Sequence, residues 1–237
     1  MHIDVLSLFP EYFRGPLDES ILKRAQNAHL IEIERINIRD YTLERHNKVD
    51  DRPYGGGPGM VMMAEPVIRA VRAKKEKRPS AKVIYLSPQG VTLNAKMCRE
   101  LAKEENLILL CGHYEGIDER AIESVVDIEI SIGDFVLTNG CLAACVLIDA
   151  VARFIPGVIG DERAADEDSF EGGLLDFPHY TRPEALSSEF EERKVPEVLL
   201  SGNHAEINAW RKKKALEKTK KYRADLYEAY VKLNLSS

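Results

Sequence analysis

Asn106-Leu107-Ile108-Leu109-Leu110-Cys111 is an unbroken apolar run that passes directly into Gly112-His113-Tyr114-Glu115-Gly116-Ile117-Asp118. A short run with no polar alternation, stopped by a glycine-bearing polar segment, predicts a strand buried on both faces and ending in a turn. The same succession occurs twice more. The short apolar strand Lys82-Val83-Ile84-Tyr85-Leu86-Ser87 runs into Leu86-Ser87-Pro88-Gln89-Gly90, and a strand over 127–132 leads into Ser131-Ile132-Gly133-Asp134-Phe135-Val136-Leu137-Thr138-Asn139-Gly140. Helical spacing is expected over 64–77, 93–105, 117–124 and 137–154. Towards the N-terminus, 1–9 and the period-two stretch 30–38 read as strands around a helix at 17–28, a β-α-β opening. Strands alternating with helices predict an α/β domain whose mainly parallel sheet is covered on both faces.

In such a sheet ligands bind outside the carboxyl ends of the strands, so the three turns should converge on one pocket. Almost no lysine or arginine lies among them. Their backbone N–H and C=O groups therefore suit a nucleobase edge better than a polyphosphate. A further loop, Asp50-Asp51-Arg52-Pro53-Tyr54-Gly55-Gly56-Gly57-Pro58-Gly59-Met60, holds too much glycine and proline for a regular helix or strand. Glycine permits positive φ and close main-chain approach, while proline limits the loop's freedom. Beside Arg52 such donors suit an anionic partner; the alternative is an ordinary surface connection. No Gly-Lys-Ser/Thr follows it, and Met60 stands where a dinucleotide fingerprint needs its third glycine.

The 237 residues suffice for one large domain, or for one domain with a smaller appendage. No apolar run approaches the roughly 20 residues that cross a bilayer, and the N-terminus lacks signal-peptide order, so we expect a cytoplasmic protein without a membrane partner. Cys98, Cys111, Cys141 and Cys145 contain no C-x-x-C pair, which predicts neither zinc nor structural disulfides; Cys141 and Cys145, at helical spacing, are expected to pack as small hydrophobes. The formal net charge is −6, yet Arg211, Lys212, Lys213, Lys214, Lys218, Lys220, Lys221 and Arg223 face only Glu217 within 211–223. That segment is either a solvated helix face or, with Trp210 and Tyr222 at its ends, a nucleic-acid contact. Between 156 and 173 the composition shifts to acid, alanine and glycine, a linker, and a helical stretch over 204–233 follows it.

Together, 50–60, 86–90, 111–120, 131–137, Leu147-Ile148-Asp149-Ala150-Val151-Ala152-Arg153, Gly173-Leu174-Leu175-Asp176-Phe177-Pro178-His179-Tyr180-Thr181-Arg182-Pro183 and Val198-Leu199-Leu200-Ser201-Gly202-Asn203-His204 closely resemble the bacterial tRNA (guanine-N1) methyltransferases, the TrmD family. The resemblance is collinear over nearly the whole chain. It implies the SPOUT class of methyltransferase: a homodimer with shared active sites, whose deep trefoil-knotted sheet holds S-adenosylmethionine in a bent form. Periodicity alone gives no sign of a knot. In domain terms it implies a cofactor-binding catalytic domain over 1–160, a flexible linker over 161–173 and a helical tRNA-binding domain over 174–237. The implied reaction methylates N1 of guanosine at tRNA position 37 when another guanosine precedes it.

Through Glu167-Asp168-Ser169-Phe170 the resemblance makes Asp168 the base that removes the N1 proton. It makes Arg153 the cation stabilising charge on the guanine oxygen. On their own, Asp168 would read as a solvated acid and Arg153 as a helix-end cation. The implied cofactor contacts are Tyr85, Leu86, Ser87, Pro88, Gly112, Tyr114, Glu115, Gly116, Ser131, Ile132, Gly133, Asp134, Phe135, Val136, Leu137, Asn139 and Gly140. Asp50, Gly57 and Gly59 are implied in receiving the target base, and Lys212, Lys213 and Lys214 in binding tRNA. No residue is expected to hold a metal, although the family's transfer is described as magnesium-assisted.

The chain departs from the family at Thr138-Asn139-Gly140-Cys141-Leu142-Ala143-Ala144-Cys145, where Thr/Ser-Gly-Gly-Glu-Leu-Pro-Ala-Met is usual. Asparagine accommodates positive φ better than most residues, so the turn at 139 is expected to survive. His113 stands where some relatives have arginine. Two rivals remain: a methyltransferase of this fold with another target nucleotide, against which the Asp168 motif and the basic helix argue, and a non-catalytic RNA-binding protein, against which Asp168, Arg153 and Glu115 argue.

Overall fold

His2–Ser7 (β1) is buried along its length because its residues feed two cores. Ile3 and Val5 enter one hydrophobic cluster, and Leu6 enters the other on the opposite face. This is the alternation that a strand between two helical layers requires. The structure, a computed structural model, describes residues 1–160 and 168–235. It falls into two units, Met1–Glu162 and Arg163–Ser237.

In the first unit β1 is followed by α1 (Ser20–Asn27), β2 (Glu32–Asn37), β3 (Asp50–Asp51), β4 (Val61–Met62), α2 (Ala64–Lys77) and β5 (Lys82–Thr92). Then come α3 (Ala95–Leu101), β6 (Asn106–Cys111), α4 (Glu119–Val125), β7 (Ile128–Ser131) and α5 (Cys141–Ala152). Five strands form one sheet in the order β2-β1-β6-β5-β7, every neighbouring pair parallel. Leu107, Leu109 and Cys111 of β6 meet α1, α3 and α5 on one face, while Ile108 and Leu110 meet α2 and α4 on the other. The expected α/β architecture with a mainly parallel sheet is therefore present.

Several boundaries differ from expectation for local reasons. The strand expected to end at Ser87 continues to Thr92, with a register break against β7 between Leu86 and Val91. Pro88 cannot donate to a ladder, and Gly90 lies so close to β7 that an added Cβ would sit 2.4 Å from the Glu129 carbonyl carbon. The segment bulges there and resumes pairing. The helix expected from 137 begins at Cys141, because Leu137, Thr138 and Asn139 form a turn before it. Asn139 does not use positive φ; its side-chain oxygen accepts a hydrogen bond from Cys141 N at 2.9 Å, an Asx turn that leads into the helix, whose N-cap is Gly140. The helix expected over 93–105 closes at Leu101, and that over 17–28 begins at Ser20.

The second unit contains α6 (Glu197–Leu200), α7 (His204–Tyr222) and α8 (Ala224–Leu235). The single stretch expected over 204–233 is broken at Arg223, whose φ and ψ of −140° and 69° are not helical. Asn203 caps α7 by accepting from Ala205 N and Glu206 N. Buried Thr219 ties the preceding segment to α7: its hydroxyl donates to Ala215 O at 2.7 Å and accepts from Leu175 N at 2.8 Å. Most of the expected linker, 161–167, lies outside the described residues. Its remainder, 168–173, is a hydrogen-bonded turn with Phe170 N donating to Leu174 O and Gly173 N to Phe170 O.

Candidate active site

The carboxyl ends of β5, β6 and β7 open into one cleft enclosing about 650 Å³ of space, part of it open to solvent. Its wall is made of the three turns. Gly140 N donates to Gly112 O at 2.8 Å, and an isolated antiparallel bridge pairs His113 with Asn139, so the turns after β6 and β7 are stitched together. An added Cβ at Gly112 would lie 2.8 Å from the Tyr85 hydroxyl, and one at Gly140 would lie 3.1 Å from Cys111 Cα. A side chain at Gly112 would have to displace the buried Tyr85 ring, and one at Gly140 would press on backbone that must give by a few tenths of an ångström. In the third turn Gly133 holds φ at +144°, while Ser131 Oγ accepts from Gly133 N and donates to Gly133 O.

Of the residues expected to contact a cofactor, all but exposed Asp134 line this cleft. His113, Ile130, Thr138 and Ala143 line it as well. Thr138 and His113 sit inside motifs already singled out, and Ala143 follows Gly140 by three residues on α5, so helical spacing was the available signal. Glu115 is the one carboxylate among the described lining residues, and no lysine or arginine is among them. Burial, helped by the charges of Glu129 and Glu119, pushes the Tyr85 phenol up to about 12, so it stays protonated.

The glycine loop is a closed arm. β3 and β4 pair antiparallel, Asp50 opposite Met62, with Gly55, Gly56, Gly57 and Gly59 all at positive φ. Glu115 N donates to Met60 O and Met62 N donates to Gly116 O, which fastens the arm to the cleft wall. An added Cβ at Gly59 would lie 2.5 Å from Glu115 Oε1, so this glycine makes room for the cleft's carboxylate. Tyr54, at the tip of the arm, is almost wholly exposed.

The remaining expected site residues lie elsewhere. Half-buried Arg153 is the C-cap of α5 and is not among the cleft lining. Asp168 lines a second cleft of about 900 Å³, counting its open part, contained in the C-terminal unit. Asp176, Phe177, Asn208, Arg211 and Lys212 share it, with the Arg211 guanidinium 4.8 Å above the Phe177 ring. Lys213 is exposed, and Lys214 bonds Glu217 at 2.7 Å. Among the described residues, His2, Asp4 and Glu34 are close enough to share a metal ion. They lie on β1 and β2, and Lys74 and Arg78 already hold their oxygens, with Lys74 Nζ 2.6 Å from Glu34 and Arg78 Nη1 3.1 Å from Asp4. That cluster is an ion-pair network.

Comparison with known proteins adds the identity of the framework. A model of the family described as "tRNA (Guanine-1)-methyltransferase TrmD" matches residues 1–229. A "tRNA (guanine-N(1)-)-methyltransferase" of Protochlamydia amoebophila is 65% identical, the match covering 95% of this chain and 99% of the relative. Relatives of the same name from Carboxydothermus hydrogenoformans and Ruminiclostridium cellulolyticum are 56% and 53% identical, over 95% and 99% of this chain and 87% and 100% of their own. With that coverage, and with the cleft built from the motifs that first suggested it, the chain belongs to the tRNA (guanine-1)-methyltransferase TrmD family.

Proposed function

We propose that the chain transfers a methyl group from S-adenosylmethionine to N1 of guanosine 37 of tRNA when a guanosine precedes it. The observation that carries this reading is the cleft's chemistry: a nucleoside-sized space bounded by backbone groups and mainly uncharged side chains, with Glu115 as its acid and no lysine or arginine among the described lining residues. A polyphosphate finds no counter-charge there, whereas a cationic nucleoside such as a sulfonium finds backbone partners for its base and a carboxylate for its charge. Bound there, the cofactor supplies an electrophilic methyl.

Guanine N1 carries a proton at neutral pH, so its lone pair becomes available only as a base removes that proton. We assign that role to Asp168 and the stabilisation of charge on the guanine oxygen to Arg153. Asp168 would take the N1 proton, freeing the ring nitrogen to accept a methyl group whose bond to the sulfonium sulfur would break with its electron pair left on sulfur, so no covalent enzyme intermediate is needed. Asp50, Gly57 and Gly59 are assigned to receiving the base, a role supported by the fastening of their arm to Glu115 and Gly116. Among the described residues Glu115 is the cleft's one carboxylate and the His2 cluster is filled by cations, so we assign none of them to magnesium.

The same reading includes a homodimer, a deep trefoil knot and a cytoplasmic location. Leu142 and Val146, one turn apart on α5, are 43% and 47% exposed on a helix whose exposed residues also include Asp149, and two apolar side chains left uncovered there support a partner on that face. Packing of Gly140 against Cys111 and Gly112 supports the knot, since it returns the chain from β7 across β5 to the end of β6. Among the described residues no helix is long and apolar enough to cross a membrane. The test is mass spectrometry of tRNA incubated with protein and S-adenosylmethionine. One methyl is expected on guanosine 37, and none once the preceding guanosine is replaced; equal methylation of that variant tRNA overturns the specificity.

We assign the C-terminal unit to tRNA binding. Reversing Lys212, Lys213 and Lys214 to glutamate is expected to weaken tRNA binding at least tenfold. The slope of log affinity against log salt should become shallower by about 2 to 3, because each phosphate contact releases roughly 0.7 to 0.9 of a counterion. Calorimetry should find S-adenosylmethionine affinity unchanged; an equal loss for both ligands would place these lysines in the fold and not in the interface.

A further inference from the structure

Three thiols converge under the floor of the cleft. Cys111 ends β6, and Cys141 and Cys145 stand one turn apart at the start of α5, all buried and free. Cys111 and Cys141 are the chain neighbours of Gly112 and Gly140, whose 2.8 Å hydrogen bond sets the two cysteines side by side, and each thiol shifts the other's titration. Ser7 Oγ lies 3.2 Å from Cys141 Sγ and 3.1 Å from His113 Nε2, and His113 Nε2 lies 3.8 Å from Cys141 Sγ. Packing as a small hydrophobe, the expectation for Cys141, therefore describes it only in part. Its position as the first residue of α5 also places the sulfur near the helix's positive end. The neighbouring Cys111 thiol, and then the hydrogen bonds with His113 and Ser7, pull the Cys141 thiol down to about 5 against the opposing effect of burial. The same contact, with burial, pushes Cys111 up. Cys145 is raised to about 11, chiefly by burial. Two neighbouring thiols, one held below and the other above the usual thiol range, are a starting arrangement for disulfide formation.

We propose that Cys141 and Cys111 are a peroxide-sensitive pair, whose closure to a disulfide disables the cleft above them. The Cys141 thiolate attacks one oxygen of hydrogen peroxide; the S–O bond forms, the O–O bond breaks, and the departing hydroxide takes a proton to leave as water. The Cys111 sulfur then attacks the Cys141 sulfenic sulfur. The S–S bond forms, the S–O bond breaks, and the Cys111 proton leaves with the oxygen as a second water. Two thiols are oxidised and one peroxide is reduced by two electrons. Entry is through the cleft, since it is lined by His113, whose Nε2 lies 3.8 Å from Cys141 Sγ, and by Gly140, the residue before Cys141. Drawing Cys111 and Cys141 together shifts Gly112 and Gly140, their chain neighbours, which carry the 2.8 Å bond joining two walls of the cleft. A bound cofactor covers the entry, so it protects the pair; this clause rests on reading the cleft as the cofactor site.

The test treats the cofactor-free protein with hydrogen peroxide, with and without S-adenosylmethionine, and maps peptides without reduction. Trypsin cleavage after Arg120 separates the two cysteines. A linked Cys111–Cys141 peptide pair, lighter by two hydrogens, is expected; it should form more slowly with cofactor present and persist in Cys145→Ala. Cys111→Ser should instead leave a Cys141 sulfenic acid that dimedone traps. Calorimetry should show S-adenosylmethionine affinity at least tenfold lower after oxidation and restored by dithiothreitol. Absence of the linkage, or a linkage that leaves affinity unchanged, overturns the proposal. Failure of the reduced protein to bind S-adenosylmethionine overturns the cofactor reading instead, and the peptide map still decides the thiol pair.

Discussion

Gly133→Val is expected to abolish measurable S-adenosylmethionine binding while the protein stays folded. Gly133 holds φ at +144°, where a β-branched residue is strained by about 1–3 kcal/mol. An added Cβ would also lie 2.7 Å from the Phe135 ring, and Phe135 lines the cleft. Relief of either conflict moves the turn that Ser131 fixes through two hydrogen bonds to Gly133. Because the turn stands at the exposed end of β7, the strain falls on the cleft and spares the sheet. A loss of at least a hundredfold in affinity corresponds to about 2.8 kcal/mol, within reach of strain and lost contacts together. Calorimetry measures the affinity, and circular dichroism with a thermal melt reports the fold. Gly160→Ala is the neutral control, since an added Cβ there meets nothing within 4 Å. Unchanged affinity in the folded variant would separate this turn from cofactor binding.

The sheet was legible because its strands carry their burial in their pattern. β6 matches its apolar run residue for residue, and α2 matches its helical spacing, since both are bounded by polar or proline-bearing sequence. Where a boundary moved, the cause lay outside the local pattern. Gly90 belongs to a strand because of the β7 backbone beside it, and Asn139 leads into α5 through a side-chain turn although positive φ was the expectation. The glycine loop became a hairpin arm through bonds to 115 and 116, more than fifty residues on.

The turns could be read as converging because a parallel sheet places all its strand ends on one side. Contacts between distant residues could not be read in the same way. Ser7 and Cys141 are 134 positions apart, and no periodicity relates them. The cleft beside Asp168 depends on Thr219 holding Leu175 from 44 residues away. The roles given to Asp168 and Arg153 came from resemblance alone, since an acid among acids and a cation at a helix end are chemically ordinary.

Asp168→Asn is expected to lower methyl transfer by about 10²- to 10⁴-fold, the usual contribution of a positioned base. The amide keeps the side chain's size and cannot accept the N1 proton, so affinities for tRNA and S-adenosylmethionine should hold. If two chains share each site, one lending its turns and the other its Asp168, a mixed dimer gives a result that neither parent dimer can. Pairing an Asp168→Asn chain with a Gly133→Val chain leaves one site combining the intact turns of the first with the intact Asp168 of the second. Its opposite site carries both lesions. Such a dimer, purified with two affinity tags, should bind one S-adenosylmethionine and transfer methyl at about half the wild-type rate. With each site confined to one chain, every site in the mixed dimer would carry one lesion and activity would fall to that of the parents. An inactive mixed dimer that still binds one cofactor molecule would therefore reject the shared site, and leave Asp168 serving the cleft of its own chain.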